Sequence, residues 1–217
     1  MNKAVILLSG GLDSATTLYF AKKNGFSCHC LIFDYGQRHK KELRSAVKIA
    51  NQAGSGWQIV KINLPWKGSA LLDKNIKIPG RLQSAIPVTY VPGRNIIFLS
   101  FALSYAEVMG AKAIFIGANA IDYSGYPDCR PQFFKAFVKA AALGTKRGSE
   151  GRPVKILTPL INKTKSEIIK LGIRLGVPYG FTWSCYKGGK FPCGKCDSCR
   201  FRAKGFNDAG LKDPIWK

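Results

Sequence analysis

A glycine- and serine-rich stretch near the N-terminus has the composition of a phosphate-binding loop. In LLSGGLDSATTL, a hydrophobic run ends at Ser9, Gly10 and Gly11, and a helical pattern begins at Ser14. Glycines allow the backbone to approach a ligand closely, and unpaired amides at a helix N-terminus attract anions. The hydroxyls of Ser9 and Ser14 add hydrogen-bond donors. The stretch therefore predicts a phosphate site built largely from backbone.

This loop differs from a Walker A motif, because it has no lysine and lacks the G-x4-G-K-S/T spacing. The plainer alternative is an ordinary strand–helix turn in which Asp13 or Ser14 is the N-cap. A cap alone requires neither both glycines nor both serines, so we favour nucleotide binding. The predicted nucleotide-contacting residues of the loop are Leu8, Ser9, Gly10, Gly11, Leu12, Asp13, Ser14, Ala15, Thr16, Thr17 and Leu18.

Four of the seven cysteines cluster near the C-terminus with the spacing of a metal site. Cys185, Cys193, Cys196 and Cys199 follow the pattern C-x7-C-x2-C-x2-C. Four thiolates favour tetrahedral zinc, and a site without an open coordination position would be structural. An iron–sulfur cluster, whose ligands share the C-x2-C-x2-C spacing, and a pair of disulfides are the alternatives.

The chain carries 34 lysines and arginines against 12 acidic residues, which gives a net charge of +22. Such an excess favours a polyanionic partner, either a nucleotide or a nucleic acid. The basic residues are scattered, so a merely basic surface and contact with RNA both stay open. The tail after residue 178 has eight basic residues against three aspartates. It is the expected place for non-specific contact with nucleic acid.

Apolar runs alternate with amphipathic stretches over the first two-thirds of the chain, which predicts a doubly wound, five-stranded parallel α/β sheet. The predicted strands cover 3–8, 27–33, 57–62, 113–116 and 154–157, and the predicted helices cover 14–23, 40–52, 95–109, 132–143 and 163–175. The helix over 95–109 is apolar nearly all round, so we expect it to be buried on most sides. The stretch 63–90 has three prolines and no clear period, which is typical of a functional lid or an insertion.

Two parts are predicted: a nucleotide-binding domain over 1–178 and a small zinc-binding lobe over 179–217. No stretch of about 18 or more apolar residues lacks charge, so no transmembrane helix is expected. The first apolar run is short and is followed at once by glycines, unlike a signal peptide. These features predict a cytoplasmic protein.

The loop SGGLDS resembles the PP-loop of ATP pyrophosphatases, a superfamily that cleaves ATP between its α and β phosphates. The segments FDYGQRH, VPGRN, GANAIDYSGYPDCRPQF and TPLINKTKSEI, with the cysteine tail, resemble the 7-cyano-7-deazaguanine synthase family over about the whole chain. Leu12 is the one departure in the loop, because that family often has glutamine there. It puts little in doubt, since this side chain is not expected to contact phosphate.

The resembling segments follow predicted strand ends, where open α/β sheets bind their ligands. Phe33 lies where adenine is bound in such folds. Arg38, Arg94 and Lys163 are candidates to neutralise phosphates or a substrate carboxylate. The plainer alternative for Lys163 is a solvated helix start.

Four further residues are candidates for substrate contact. Asp122 and Asp128 suit the adjacent N–H donors of a guanine-like edge, while Asn95 and Arg130 suit a carbonyl or carboxylate. The plainer alternative for Asp122 is that it caps a turn. The residues predicted to be catalytic are Arg94, Lys163 and Asp122.

The resemblance implies a ligase that forms carbon–nitrogen bonds in queuosine biosynthesis. Its substrates would be 7-carboxy-7-deazaguanine, ammonia and ATP, with Mg²⁺ bridging the phosphates, and its product 7-cyano-7-deazaguanine. It also implies a homodimer with no obligatory nucleic acid and no membrane. Three alternatives stay open: a PP-loop enzyme acting on tRNA, a zinc-ribbon module that binds nucleic acid, and an enzyme that couples the deazapurine to a protein amine.

Overall fold

Five parallel strands form one sheet in the computed structural model, which describes residues 1–78, 86–121 and 125–216. The strands are β1 (Asn2–Leu7), β2 (Phe26–Asp34), β3 (Gly56–Lys61), β4 (Ala113–Ile116) and β5 (Lys155–Leu157). Their spatial order is β3-β2-β1-β4-β5, so the chain winds outward in both directions from β1. This order confirms the predicted doubly wound sheet.

Helices cover both faces of the sheet. Within the described ranges they are α1 (Leu12–Lys23), α2 (Lys41–Gln52), α3 (Arg94–Met109), α4 (Pro131–Leu143), α5 (Lys146–Ser149), α6 (Lys165–Arg174) and α7 (Asp197–Asp208). Predicted strands and helices agree with these bounds within two residues at each end. The sequence pattern predicts neither α5 nor α7. None of the helices described combines the length and apolarity that crossing a bilayer requires.

Alternate residues of β1 enter two separate hydrophobic cores, as expected for a parallel strand that is buried on both faces. Ala4 and Ile6 face the core formed with α1, α2, α6 and α7. Val5 and Leu7 face the core formed with α3 and α4. The central strand is thus fixed from both sides, and its carboxyl end is held in one place.

One face of α3 is exposed, which differs from the expected burial on most sides. Ile96, Phe101 and Val108 are 47%, 46% and 85% exposed. The sheet covers only the opposite side of the helix, and no other described element covers this one. The buried residues on the sheet side include Leu99, Ala102 and Ala106.

The C-terminal segment packs onto the sheet domain through α7. A β-carbon at Gly205 would come within 2.4 Å of an α6 side chain, so the two helices approach closely. The buried ring of Phe206 meets Tyr179 edge-on, with 5.7 Å between centroids. Buried Arg202 forms a two-pronged ion pair with Asp213 at 2.7 and 2.8 Å. The tail therefore shares a core with α6, and its division from the rest at residue 178 stays a prediction.

Candidate active site

The predicted phosphate loop lies between β1 and α1, at the carboxyl end of the central strand. Gly10 has a φ of +84°, and a β-carbon there would come within 2.3 Å of the Glu42 carbonyl oxygen on α2. A β-carbon at Gly117, directly after β4, would come within 2.9 Å of the Asp13 carbonyl carbon. Glycine is therefore required at both positions for the neighbouring elements to close against the loop.

The first three amides of α1, those of Leu12, Asp13 and Ser14, donate to no residue that the structure describes. The helix begins at Leu12 with Gly11 as its N-cap, and no side chain caps it. Its first backbone hydrogen bond is donated by the Ala15 N–H to the Gly11 carbonyl, at 3.1 Å. The helical amides before Ala15 have no helical partner, and they give the helix end its partial positive charge. The alternative in which Asp13 or Ser14 is the N-cap is wrong.

The two loop serines are held beside these amides. Their Oγ atoms lie 3.0 Å apart. The Ser14 hydroxyl donates to the Gly11 carbonyl at 3.1 Å, and the Gly11 N–H donates to Ser9 Oγ at 3.3 Å. Both hydroxyl oxygens are thus held beside the α1 amides, and each would donate to a phosphate by rotating its O–H away from its present partner.

An ion pair joins the loop to α6. Lys165 Nζ lies 2.8 and 2.7 Å from the two carboxylate oxygens of Asp13. Lys165 lines the site cavity, whereas the predicted Lys163 does not, and the Lys163 carbonyl accepts a hydrogen bond from Asn119. Sequence reasoning missed Lys165. In KTKSEI the first lysine is Lys163 and the second is Lys165, and α6 begins at the second. The sequence signal that could have found Lys165 is this position in the first turn of the helix.

A cavity of about 300 Å³ opens at the carboxyl ends of β1, β2 and β4. The predicted site residues that line it are Leu8, Ser9, Gly11, Leu12, Asp13, Ser14, Phe33, Arg94 and Asn95. The predicted residues that do not line it are Gly10, Ala15, Thr16, Thr17, Leu18, Arg38, Asp128, Arg130 and Lys163. Asp122, and residues 79–85 of the predicted lid, lie outside the described residues.

Arg94 begins α3 and lines the cavity. Burial alone would lower its pKa, but Tyr35, Tyr126 and Asp128 are among the neighbours that raise this pKa overall. The guanidinium therefore stays charged inside the cavity, where it can neutralise an anion.

Asn95 and Asp128 join α3 to the turn before α4. The Asp128 carboxylate accepts the Asn95 backbone N–H at 3.0 Å, and Asn95 Nδ2 donates to the Asp128 carbonyl at 3.0 Å. Arg130 is exposed and forms the N-cap of α4. Substrate contact by these three residues stays a prediction, and the geometry shows that the Asn95–Asp128 pair fixes the backbone beside Arg94.

Arg38 and Phe33 are engaged with other protein groups. Arg38 Nη2 donates to the carbonyl of Asp73 at 2.6 Å and to that of Ile76. These bonds fix the segment after β3 and hold the guanidinium outside the cavity. The ring of Phe33 stacks on Phe98, with 4.1 Å between centroids and 4° between planes. Phe33 therefore packs against α3 while it lines the cavity.

Glu42, on the first turn of α2, is a further cavity residue that sequence reasoning missed. Its carboxylate has no hydrogen bond or ion pair with any described residue. Burial raises the pKa of Glu42 to about 7, although nearby Arg94 lowers it. A carboxyl group with such a pKa can accept and release a proton near neutral pH. The sequence signal is weak, because a lone acid among lysines also suits a solvated helix face.

The four clustered thiols meet at one point. The sulfur atoms of Cys185, Cys193, Cys196 and Cys199 all lie within 4.8 Å of one another. Ligand sulfurs about 2.3 Å from one tetrahedral ion would lie about 3.8 Å apart. The backbone N–H groups of Lys187 and Cys193 donate to the Cys185 sulfur at 3.4 and 3.3 Å. Such bonds favour a thiolate.

The thiols of this cluster do not ionise independently of one another. Hydrogen bonds from Cys196 and Cys199 lower the pKa of Cys185, and the bond to Cys185 raises the pKa of Cys196 to about 11. The same contacts raise the pKa of Cys199. A divalent ion would take the place of the shared protons. The four residues therefore fit a tetrahedral metal site.

Trp183 connects the cysteine cluster to the phosphate loop. Its backbone N–H donates to the Gly10 carbonyl at 2.9 Å, and its Nε1 donates to the Cys185 carbonyl at 2.8 Å. A ring nitrogen of His39 lies 2.9 Å from the same Cys185 carbonyl oxygen. Because Trp183 also lines the cavity, the tail forms one wall of the site.

The central glycine-rich loop and the parallel sheet place the chain in the PP-loop class. NMN synthetase from Francisella tularensis matches the fold with a TM-score of 0.51 and 17% identity, over 97% of this chain and 78% of that one. A 4-thiouridine synthetase in an RNA complex with bound ATP matches with a TM-score of 0.51 and 20% identity. The match covers 95% of this chain and 53% of that one. These likenesses concern the fold alone.

Sequence relatives identify the family within this class. The family model of "Queuosine biosynthesis protein QueC" matches residues 3–210. The 7-cyano-7-deazaguanine synthase of Nostoc sp. is 55% identical, over 98% of this chain and 96% of its own length. That of Saccharophagus degradans is 54% identical, with the same two coverages. The chain belongs to the QueC family of queuosine biosynthesis proteins, which confirms the resemblance of its motifs.

Proposed function

We propose that this protein converts 7-carboxy-7-deazaguanine and ammonia to 7-cyano-7-deazaguanine in queuosine biosynthesis, with ATP cleaved to AMP and pyrophosphate. The supporting observation is that the free α1 amides, the two loop hydroxyls and the charged Arg94 meet at one cavity. The amides and hydroxyls suit a leaving pyrophosphate, and the cation suits a carboxylate or α-phosphate. Relatives over nearly the whole chain are named 7-cyano-7-deazaguanine synthases, which supports the product of this reaction.

The first step joins the substrate acid to AMP. A carboxylate oxygen attacks the α-phosphorus, the bond to the bridging oxygen breaks, and pyrophosphate leaves with the bonding electrons. The loop amides with Ser9 and Ser14 hold the pyrophosphate, while Arg94 reduces the repulsion between two anions. Lys163 and Asp122 retain their predicted catalytic roles within this proposal, and Asn95, Asp128 and Arg130 their predicted substrate contacts.

Ammonia then replaces AMP. Its nitrogen attacks the acyl carbon and becomes positively charged, so a proton must leave before AMP departs and the amide remains. Glu42 is suited to accept this proton, because it lines the cavity and its carboxylate has no hydrogen bond or ion pair with any described residue. The amide oxygen then attacks the α-phosphorus of a second ATP, and a second pyrophosphate leaves. Loss of AMP and of both protons on the nitrogen leaves the nitrile.

The metal at the cysteine cluster is proposed to be one structural zinc ion. A four-iron cluster would bind each sulfur to a different iron and hold the sulfurs farther apart than a single ion does. Mg²⁺ is expected to enter with ATP and to neutralise phosphate charge. The described carboxylates that line the cavity, and so would offer it oxygen ligands, are those of Asp13 and Glu42.

A cytoplasmic homodimer completes the proposal. None of the seven cysteines, all of them described, forms a disulfide, which suits a reducing compartment. The uncovered apolar side chains of Ile96, Phe101 and Val108 support self-association. Sedimentation equilibrium should give a dimer for the wild type and a monomer for Phe101→Glu.

Isotope transfer tests the activity itself. With nitrogen-15 ammonium as the only nitrogen source, the nitrile product should carry the label. Arg94→Met should lower turnover by about 100-fold or more, as expected for loss of a charge-stabilising donor. Arg174→Met, on an exposed position of α6, is the matched control. Unlabelled acid recovered unchanged, with ATP intact, would refute the proposed reaction.

A further inference from the structure

A second concave surface lies between α2 and the tail. This groove of about 310 Å³ lies beside the turn that contains Phe181 and beside Phe191. Its charged lining residues are Lys41, Arg44, Lys48 and Lys190, and none of the acidic residues that the structure describes lines it. The groove therefore concentrates positive charge in a chain whose basic residues are otherwise scattered along the sequence.

None of these four cations is neutralised by a described carboxylate. The ion pairs among the described residues involve other lysines and arginines, such as Lys40 with Asp34 and Arg202 with Asp213. Lys41 instead donates to the backbone carbonyls of Gly189 and Lys190. Uncompensated charges of one sign repel each other, so an anion that binds here would gain both attraction and relief of that repulsion.

Aromatic rings alternate with these cations. Phe181 is 45% exposed and Phe191 is 64% exposed. The ammonium group of Lys48 lies 6.0 Å from the Phe181 ring centroid, and that of Lys190 lies 5.6 Å from the Phe191 centroid. Exposed rings beside cations are the features with which proteins stack unpaired bases and contact the adjoining phosphates.

We propose that this groove binds single-stranded nucleic acid. Phe181 and Phe191 would stack bases, and Arg44, Lys48 and Lys190 would contact phosphates. A duplex would leave the rings without a base face to contact, because its bases are already stacked. A lipid bilayer is flat and would not fill a concave groove. Such binding accounts for part of the basic charge that a small-molecule reaction leaves unexplained.

The groove also adjoins the active site. Trp183 lines both the groove and the nucleotide cavity, and its backbone holds the Gly10 carbonyl. The phosphate-contacting residues proposed here line only the groove. Binding of a strand should therefore leave turnover of the small substrate largely unchanged, which separates this inference from the proposed reaction.

Fluorescence anisotropy of a labelled RNA oligonucleotide of about ten nucleotides tests the groove. The charge-reversing pair Arg44→Glu and Lys48→Glu should weaken binding at least about tenfold, and the slope of log affinity against log salt should become shallower by about 1 or more. Phe191→Ala should weaken binding about fivefold or more with little change in that slope. Lys135→Glu with Lys139→Glu, exposed on α4, should weaken it less than about twofold.

Three outcomes would overturn the proposal. Equal losses from the groove pair and the α4 pair would mean that the charge acts diffusely. Competition by inorganic polyphosphate as strong as that by RNA, with no effect of Phe191→Ala, would reduce the groove to an anion site without base stacking. Preference for vesicles of anionic lipid over RNA would assign it to a membrane. Thermal melting of each variant confirms that lost binding is not lost folding.

Discussion

The phosphate loop and the cysteine tail both border the active-site cavity, but they are built in opposite ways. The loop consists of consecutive residues whose backbone amides are set by a strand and a helix. The tail is held by contacts between residues far apart in sequence, such as Trp183 with Gly10 and Gly205 with Lys165, and it contains four thiols that can hold a metal ion. One wall of the cavity thus forms from adjacent residues of the sheet domain, and the other contains a site that fits a metal ion.

The two walls should respond differently to metal loss, and this is the largest expected effect. Cys199→Ser should abolish stoichiometric metal binding and destabilise the tail by several kcal/mol, while the sheet stays folded. Elemental analysis and two-probe urea unfolding measure this. Cys28→Ala, at an isolated buried thiol in β2, is the matched control and should keep its metal. A zinc content of about zero in active wild-type protein would contradict the structural-zinc account.

The loop should show the converse behaviour, with lost activity and retained stability. Ser14→Ala removes one hydroxyl donor beside the free amides of α1. Turnover should fall about 100-fold, because the donor acts on charge that develops on the leaving group. Steady-state kinetics measure the loss, and Ser100→Ala on exposed α3 serves as control. Equal losses of turnover in Ser14→Ala and Ser100→Ala would contradict a catalytic role for the loop hydroxyl.

Glu42 sharpens the comparison through pH. Its pKa is raised by burial to about 7, so the folded protein favours the protonated form. This stabilising contribution is fully present below the unfolded pKa and is lost as pH rises through about 7. Glu42→Gln should therefore match the wild type near pH 4 and be more stable than it at pH 8 by about 1–2 kcal/mol. Urea unfolding at both pH values measures the difference, and a constant difference would contradict the buried-carboxyl account.

Trp183 carries the smallest expected effect, because only one of its two hydrogen bonds uses the side chain. Trp183→Phe removes the Nε1 donor to Cys185 and keeps the backbone bond to Gly10. We expect the free energy of unfolding to fall by about 1 kcal/mol, and chelator competition should show a lower affinity for the metal. An unchanged metal affinity would show that the Trp183 side chain does not support the cysteine cluster, and that the backbone bond to Gly10 alone connects the tail to the phosphate loop.

The hydrophobic periodicity of the sequence predicted the elements whose formation depends mainly on neighbouring residues. The strands and helices up to α6 agree with expectation within two residues, except for α5, because buried parallel strands and amphipathic helices leave periodic signatures. The tail helix α7 escaped prediction because its stability comes from Gly205 and Phe206 packing on distant elements and from a cysteine cluster. The exposed face of α3 was not predicted, because apolar composition does not reveal which face of a helix the sheet covers.

The site residues also divide into those set by local sequence and those set by distant packing. The loop contacts follow from adjacent residues, whereas Glu42 and Lys165 reach the cavity from helices far away in sequence. Spacing also cannot show that the guanidinium of Arg38 holds backbone carbonyls. The sequence therefore predicts the glycine-rich loop, and packing decides which charged groups line the cavity beside it.

The central claim is that the loop releases pyrophosphate from ATP while a small deazapurine acid is activated. Phosphorus NMR of a reaction that contains 7-carboxy-7-deazaguanine, ammonia, Mg²⁺ and ATP, without RNA, tests it most directly. The account predicts AMP and pyrophosphate in equal amounts, two of each per nitrile detected by mass. ADP and phosphate as the sole products would contradict it. So would ATP consumption that begins only when tRNA is added, or a deazapurine recovered on a protein amine.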